Sequence, residues 1–195
     1  SLEDWLVRVL PADVYARIGQ FATDTWFSPE DLQLIAGHPG VARVEFSRTT
    51  SVALAPDRAA VAIVARPVDA DRAAELLPLV GAEAPVPSGA RPAWVSEAMV
   101  DLYGARPGGE LALPLAGRLE TFTVAGVWRD YARQFGSVIV RTEDYERITG
   151  DTARTEAALW LKPGVAADDV IRELQARVPS GEAVEFNATG EIRAL

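Results

Sequence analysis

Cysteine is absent from this 195-residue chain. That excludes a disulfide framework, a cysteine-based zinc site and thiol catalysis. Histidine occurs only at His38, in Gly37-His38-Pro39-Gly40. A Ser-His-Asp triad needs a histidine as general base, but this one sits in turn chemistry and no nucleophile signature accompanies it. A zinc site wants about three or four converging ligands, and one histidine without cysteine does not supply them. Lysine occurs only at Lys162. Pro107-Gly108-Gly109 and Pro87-Ser88-Gly89 therefore lack the lysine that a phosphate loop carries to its nucleotide. A Gly-x-Gly-x-x-Gly run is also missing. The sequence thus points to no catalytic residue, no metal and no cofactor.

Basic blocks are missing as well. The 19 Lys and Arg are outnumbered by 28 Asp and Glu, for a net charge of −9. A phosphate backbone would be repelled, which argues against a nucleic-acid partner, and no polybasic patch suits an anionic lipid surface. No stretch approaches the ~20 apolar residues of a membrane span; the longest apolar run, Ala59 to Ala65, is of strand length. No signal peptide is visible. With no solvated tail at either end, the chain reads as a segment excised from a longer protein.

What is present is an ordinary globular composition, 49% hydrophobic and 24% charged, so disorder is not expected. A chain of this size buries roughly 70% of its extended surface and needs no staple. Leu2, Trp5, Leu6, Val9 and Leu10 share one helical face, and Pro11 stops that helix. Val14, Ala16 and Ile18 alternate as in a strand. Ser28-Pro29-Glu30-Asp31 opens a helix that ends near Gly37, with a cap, a proline in the first turn and carboxylates at the positive end. Val41 to about Leu54 reads as a strand. Ala59 to Arg66 reads as another, apolar on both faces and so covered on each side. A helix is expected over Asp69 to Leu77.

Residues 82–92 are rich in proline and glycine and read as a domain boundary. Beyond it, Trp94-Val95 is a short strand, Ser96 caps a helix ended by Gly104, and a hairpin joins Glu110–Leu115 to Leu119–Trp128. Ser137–Arg141 is a strand and Thr142 caps a short helix. The last block is β-α-β: Glu156–Lys162, a helix over Ala166–Val178, and Ala183–Asn187. The simplest architecture is α+β. Residues 1–85 and 152–195 form a discontinuous α/β domain of β-α-β units, and residues 92–150 form a small β-rich subdomain inserted in it.

Carboxylate pairs at helix starts, such as Asp168/Asp169 and Glu143/Asp144, are explained by the helix dipole. The run Trp128-Arg129-Asp130-Tyr131-Ala132-Arg133-Gln134 is different. It packs aromatic and charged groups into the turn after a strand. Trp128 and Tyr131 offer amphipathic surface, and Arg129 and Arg133 offer planar donor forks that Asp130 can pair with. Two readings are open: a turn satisfied internally, or a contact surface for a partner built of Trp128, Arg129, Asp130, Tyr131, Arg133 and Gln134.

Several segments resemble the extracytoplasmic domain of FtsX/MacB-type ABC transporter permeases. These are Gly40-Val41-Ala42-Arg43-Val44, Trp94 to Gly104 with Pro107-Gly108-Gly109, and Phe122-Thr123-Val124-Ala125-Gly126-Val127. Glu191-Ile192-Arg193 resembles the lead-in to a further membrane helix. Each motif is short, and their order along the chain carries the likeness. The resemblance implies a domain at the periplasmic face of the bacterial cytoplasmic membrane, between two membrane helices of the same chain, with an α/β subdomain and a smaller β-rich one. It implies no catalytic residues, ATP hydrolysis in a separate cytoplasmic subunit, and motion coupled to export or release of a substrate. A second permease or a periplasmic protein is a further implied partner. The alternative is a free-standing ligand-binding α/β protein or hydrolase. A deep apolar pocket with converging polar groups would mark that alternative.

Overall fold

The computed structural model describes residues 12–19, 24–130 and 133–190. The helix expected over Leu2–Leu10 lies outside them, as do Tyr131 and Glu191-Ile192-Arg193. In chain order the elements are β1 (Val14–Ile18), α1 (Pro29–Gly37), β2 (Val41–Val52), β3 (Val61–Arg66), α2 (Ala73–Leu76), β4 (Leu79–Val80), β5 (Pro92–Ser96), α3 (Glu97–Tyr103), β6 (Glu110–Leu115), β7 (Arg118–Trp128), β8 (Ser137–Arg141), α4 (Thr142–Thr149), β9 (Glu156–Leu161), α5 (Ala167–Arg177) and β10 (Val184–Ala188). Two compact units result, residues 1–47 with 153–195, and residues 48–152.

In the first unit the strand order is β10-β1-β9-β2, and every neighbouring pair is antiparallel. Hence β1 and β2 run parallel with β9 between them, and β9 and β10 run parallel with β1 between them. The connections β1-α1-β2 and β9-α5-β10 are two interleaved split β-α-β units, a ferredoxin-like arrangement. The helices bury one stripe each. Ile35 of α1 and Val170 and Leu174 of α5 pack with Val14, Ala16 and Ile18 of β1 and Leu159 of β9. The period-2 alternation of β1 is what puts its three apolar residues on that face.

Helix α1 starts where expected and closes a full capping box. The Ser28 hydroxyl accepts from the Asp31 N–H at 3.0 Å, and the Asp31 carboxylate accepts from the Ser28 N–H at 2.8 Å. Asp31 goes further than a cap. It is fully buried and also accepts the N–H of Ser180 at 3.1 Å and the Ser180 hydroxyl. One carboxylate thus ties the start of α1 to the loop that follows α5. Burial pushes its pKa up, but the hydrogen bonds from Ser180 and Ser28 outweigh that and hold it below the usual aspartate value.

The second unit is built on the order β2-β3-β8-β5-β7-β4, with β6 also paired to β7; β3/β8 and β5/β7 are parallel. The two-sided apolar character of β3 is realised. Val61, Ile63 and Ala65 enter one core with Met99, Phe122 and Tyr145, while Val64 enters a second with Trp94, Trp128 and Ile139. β5 splits the same way: Ala93 and Val95 face the first core and Trp94 the second. Helix α3 ends at Gly104, whose φ of +69° is the left-handed conformation a glycine supplies without strain.

Several expectations are corrected here. Residues 48–85 fall in the second unit, not with the termini. The reason is the parallel pairing of β3 with β8, a long-range contact that no local pattern signals. The Pro/Gly-rich segment 82–92 runs within that unit. The Ala84 N–H donates to the Ala125 carbonyl at 2.8 Å and the Thr123 N–H to the Arg91 carbonyl at 2.8 Å. The helix expected over Asp69–Leu77 is a 3-10 turn at Ala70–Arg72 followed by the short α2. Ser96 does not cap α3 with its side chain; its hydroxyl accepts the Ser137 N–H from β8 at 3.0 Å. Thr142 is the first residue of α4, not its cap.

Candidate interaction surface

The turn between β7 and β8 begins inside the protein. Trp128 is 6% exposed, and its indole N–H donates to the Trp94 carbonyl at 3.1 Å. The Asp130 carboxylate, 4% exposed, accepts the Ser137 hydroxyl at 2.8 Å and an Arg133 guanidinium N–H at 3.1 Å. Trp128 and Asp130 are therefore consumed by the fold and offer little to a partner. For these two residues the geometry is that of the internally satisfied turn.

Arg129 differs. Its backbone N–H donates to the Pro78 carbonyl at 3.2 Å, and its guanidinium meets Glu97 at 2.9 Å with both side chains about half exposed. Arg133 is about one-third exposed and Gln134 is exposed. Beside them stands Phe135, 57% exposed, which the sequence reading passed over. The signal was available: a phenylalanine at the tip of a polar turn, directly before a glycine. Gly136 has φ +111°, and a Cβ there would lie 2.7 Å from the Met99 sulfur. Backbone and packing both require glycine at that position, and they fix the turn that presents Phe135.

Replacing Arg129 with alanine should lower stability by no more than about 1 kcal/mol, since it removes an exposed ion pair. Arg133→Ala should cost more, about 1–2 kcal/mol, because Asp130 loses a charged donor in a buried setting. Urea unfolding of the two variants checks this order; a larger loss for Arg129→Ala would contradict it.

Elsewhere two titratable groups are occupied structurally. His38 is buried; its Nδ1 accepts the Gly40 N–H at 2.9 Å, so Nε2 carries the proton it shares with Glu173 at 2.5 Å. That locks the turn into β2. Tyr145 is pushed up to about 12 by burial and by its hydrogen bond to Asp151 at 2.8 Å. Among the described residues no group of three or more His, Asp or Glu is arranged to hold a metal ion, and no helix is long and apolar enough to cross a membrane. A cleft of about 620 Å³ in the first unit is lined by residues including Asp13, Lys162, Pro163, Asp168 and Thr189. None of the groups with a shifted pKa lines it.

No protein-family model matches the sequence, and no curated protein does. Solved structures do match in fold. The periplasmic region of MacB from Actinobacillus actinomycetemcomitans aligns with a TM-score of 0.58 at 11% identity, over 96% of this chain and 94% of that one. The extracellular domain of the noncanonic ABC-type transporter YknZ from Gram-positive bacteria aligns with a TM-score of 0.52 at 15% identity, over 90% of this chain and 98% of that one. The fold is similar to that of the periplasmic region of MacB and of the extracellular domain of YknZ. More narrowly, the chain shares the mixed α+β fold of the MacB periplasmic region over nearly its full length.

Proposed function

We propose that this chain is the extracytoplasmic domain of an ABC transporter permease, without catalytic residues of its own. It would couple ATP-driven motion of the transporter to export or release of a substrate, or to a partner protein. One geometric observation carries the reading beyond fold. The first and last described strands, β1 and β10, are antiparallel neighbours. Past their paired ends, the Thr189 N–H donates to the Asp13 carbonyl at 3.0 Å and the Thr189 hydroxyl to the Ala12 carbonyl. The described residues therefore begin and end at one point of the first unit. A module carried between two membrane helices needs this arrangement, because both helices can then deliver the same displacement to the paired strands.

On this reading the partners are membrane helices of the same chain and a cytoplasmic ATPase subunit. A second permease or a periplasmic protein completes the set. The location is the periplasmic face of the cytoplasmic membrane. The free-standing enzyme reading would want a deep pocket lined by titratable groups of shifted pKa, and no such group lines the cleft of the first unit. The coding sequence on either side tests the proposal. Apolar spans of ~20 residues shortly before Ala12 and shortly after Gly190 are expected. Soluble sequence or stop codons on both sides would overturn it.

A further inference from the structure

Leu2, Trp5, Leu6, Val9 and Leu10 recur at the spacing of one helical face, and Asp4 and Arg8 fall on the opposite side. A helix over residues 2–10 is too short to hold itself together in water, where about 12–15 residues are marginal at best. It persists only if its apolar face is buried against something. Pro11 alone separates that segment from Ala12, the first described residue. Whatever seats it must therefore lie within reach of Ala12.

The cleft of about 620 Å³ in the first unit begins at Ala12 itself. Its wall is built from the residues leading into β1, the end of β9 with the loop into α5, and the end of β10. Here the first core is left open. Leu161, Val165 and Ala167 pack against the buried cluster but are only half-buried, and Pro163 and Ala166 are exposed. The polar groups on the floor are turned to one another. The Asp13 carboxylate accepts the Leu161 N–H at 2.8 Å, and the Thr189 N–H and hydroxyl donate to the Asp13 and Ala12 carbonyls. A polar ligand would find these groups taken, whereas an apolar face would complete the core. Lys162 and Asp168 give the rim both signs of charge, and Asp4 and Arg8 give the polar side of the segment both signs as well.

We propose that residues 2–10 form a helix whose apolar face seats in this cleft and closes the first core. The other segment that leaves from the cleft is a poorer occupant. Glu191-Ile192-Arg193-Ala194-Leu195 follows Gly190 with only Ile192 and Leu195 as large apolar residues, and it has no aromatic. A seated helix ties the start of the chain to β9, β10 and α5 at once. A pull on residues 1–11 is then carried to the sheet and its helix, not to β1 alone. The inference rests on the periodicity and the cleft, and it stands whether or not the chain belongs to a transporter.

Disulfide trapping in the 195-residue chain tests this, because the chain has no cysteine of its own. Ala166→Cys, at an exposed position on the cleft, is combined in turn with Asp4→Cys, Leu6→Cys, Arg8→Cys, Val9→Cys and Ile192→Cys. A disulfide forms without backbone movement only where the two Cα atoms lie within about 7 Å. Under mild oxidation, Leu6→Cys or Val9→Cys should close within one molecule at least tenfold faster than Asp4→Cys and Arg8→Cys. Leu6→Asp with Val9→Asp should also move the NMR methyl signals of Leu161 and Val165 while those of the second unit stay in place. Equal closure at positions 4, 6, 8 and 9, or closure at none of them, would mean that no face is seated and would overturn the proposal. So would methyl signals that do not move. Fastest closure from Ile192→Cys would assign the cleft to the other end of the chain, and disulfides between two molecules would assign it to a second copy; either result overturns the proposal too.

Discussion

Trp94→Ala should destabilise the second unit by about 3–5 kcal/mol, the usual range for removing a large aromatic from a closed core. Trp94 has no exposed surface and packs with Val64, Val68, Leu77, Trp128 and Ile139. Its carbonyl also receives the Trp128 indole N–H at 3.1 Å, so a collapse around the cavity would disturb the strand that leads into the β7–β8 turn. The indole N–H of Trp94 itself is buried with no hydrogen-bond partner among the described residues. Trp94→Phe should therefore be far milder, within about 1–2 kcal/mol of the parent. It loses some volume but removes a donor whose burial is costly. Equilibrium urea unfolding of both variants decides the matter. Equal losses in the two would mean that the indole N–H is bonded and that the account of this core is wrong.

The second large effect is at Asp31. Removing its carboxylate by Asp31→Ala strands three donors at once: the Ser28 N–H, the Ser180 N–H and the Ser180 hydroxyl. A loss of about 3 kcal/mol is expected for the first unit, since hydrogen bonds to a charged group are among the stronger ones and the stranded donors are partly buried. The same site gives the fold a pH dependence of defined sign. The carboxyl is held below its ordinary value of 3.8. Its contribution is therefore fully present above that value and is lost as pH falls through the lower, folded-state value. Asp31→Asn should flatten the acid limb of the stability curve while lowering stability at neutral pH. An unchanged acid limb in Asp31→Asn would show that other carboxylates govern acid unfolding.

Much of this fold is written locally. The capping box at Ser28 and Asp31, the glycine stop at Gly104 and the period-2 alternation of β1 are decided by a few adjacent residues, and each is found where those residues place it. The doubly apolar β3 announced its burial on both faces, because no sequence neighbour can satisfy such a strand. What local pattern could not carry is partnership at a distance. The allegiance of residues 48–85 depends on β3 meeting β8, and β4 is only two residues long and held by Val127 and Trp128. Proline and glycine in 82–92 mark irregular backbone, and irregular backbone can be threaded along a sheet as well as between domains. At the β7–β8 turn, composition identified the segment but not its division. The same residue types serve core and surface, and only packing decides that Trp128 turns inward while Phe135 turns outward. The cleft at Ala12 was invisible for a related reason: it forms only where distant segments of the chain meet.

The proposed function puts this domain outside the cytoplasmic membrane. The chain has no cysteine, so a single introduced one is a clean reporter. Arg118 has a side chain 74% exposed at the start of β7 and serves as the position. The measurement is labelling of Arg118→Cys, in the full-length protein in spheroplasts, by a membrane-impermeant maleimide. The account predicts labelling in intact spheroplasts to the same extent as after lysis. Labelling only after lysis would place the domain on the cytoplasmic side and contradict it.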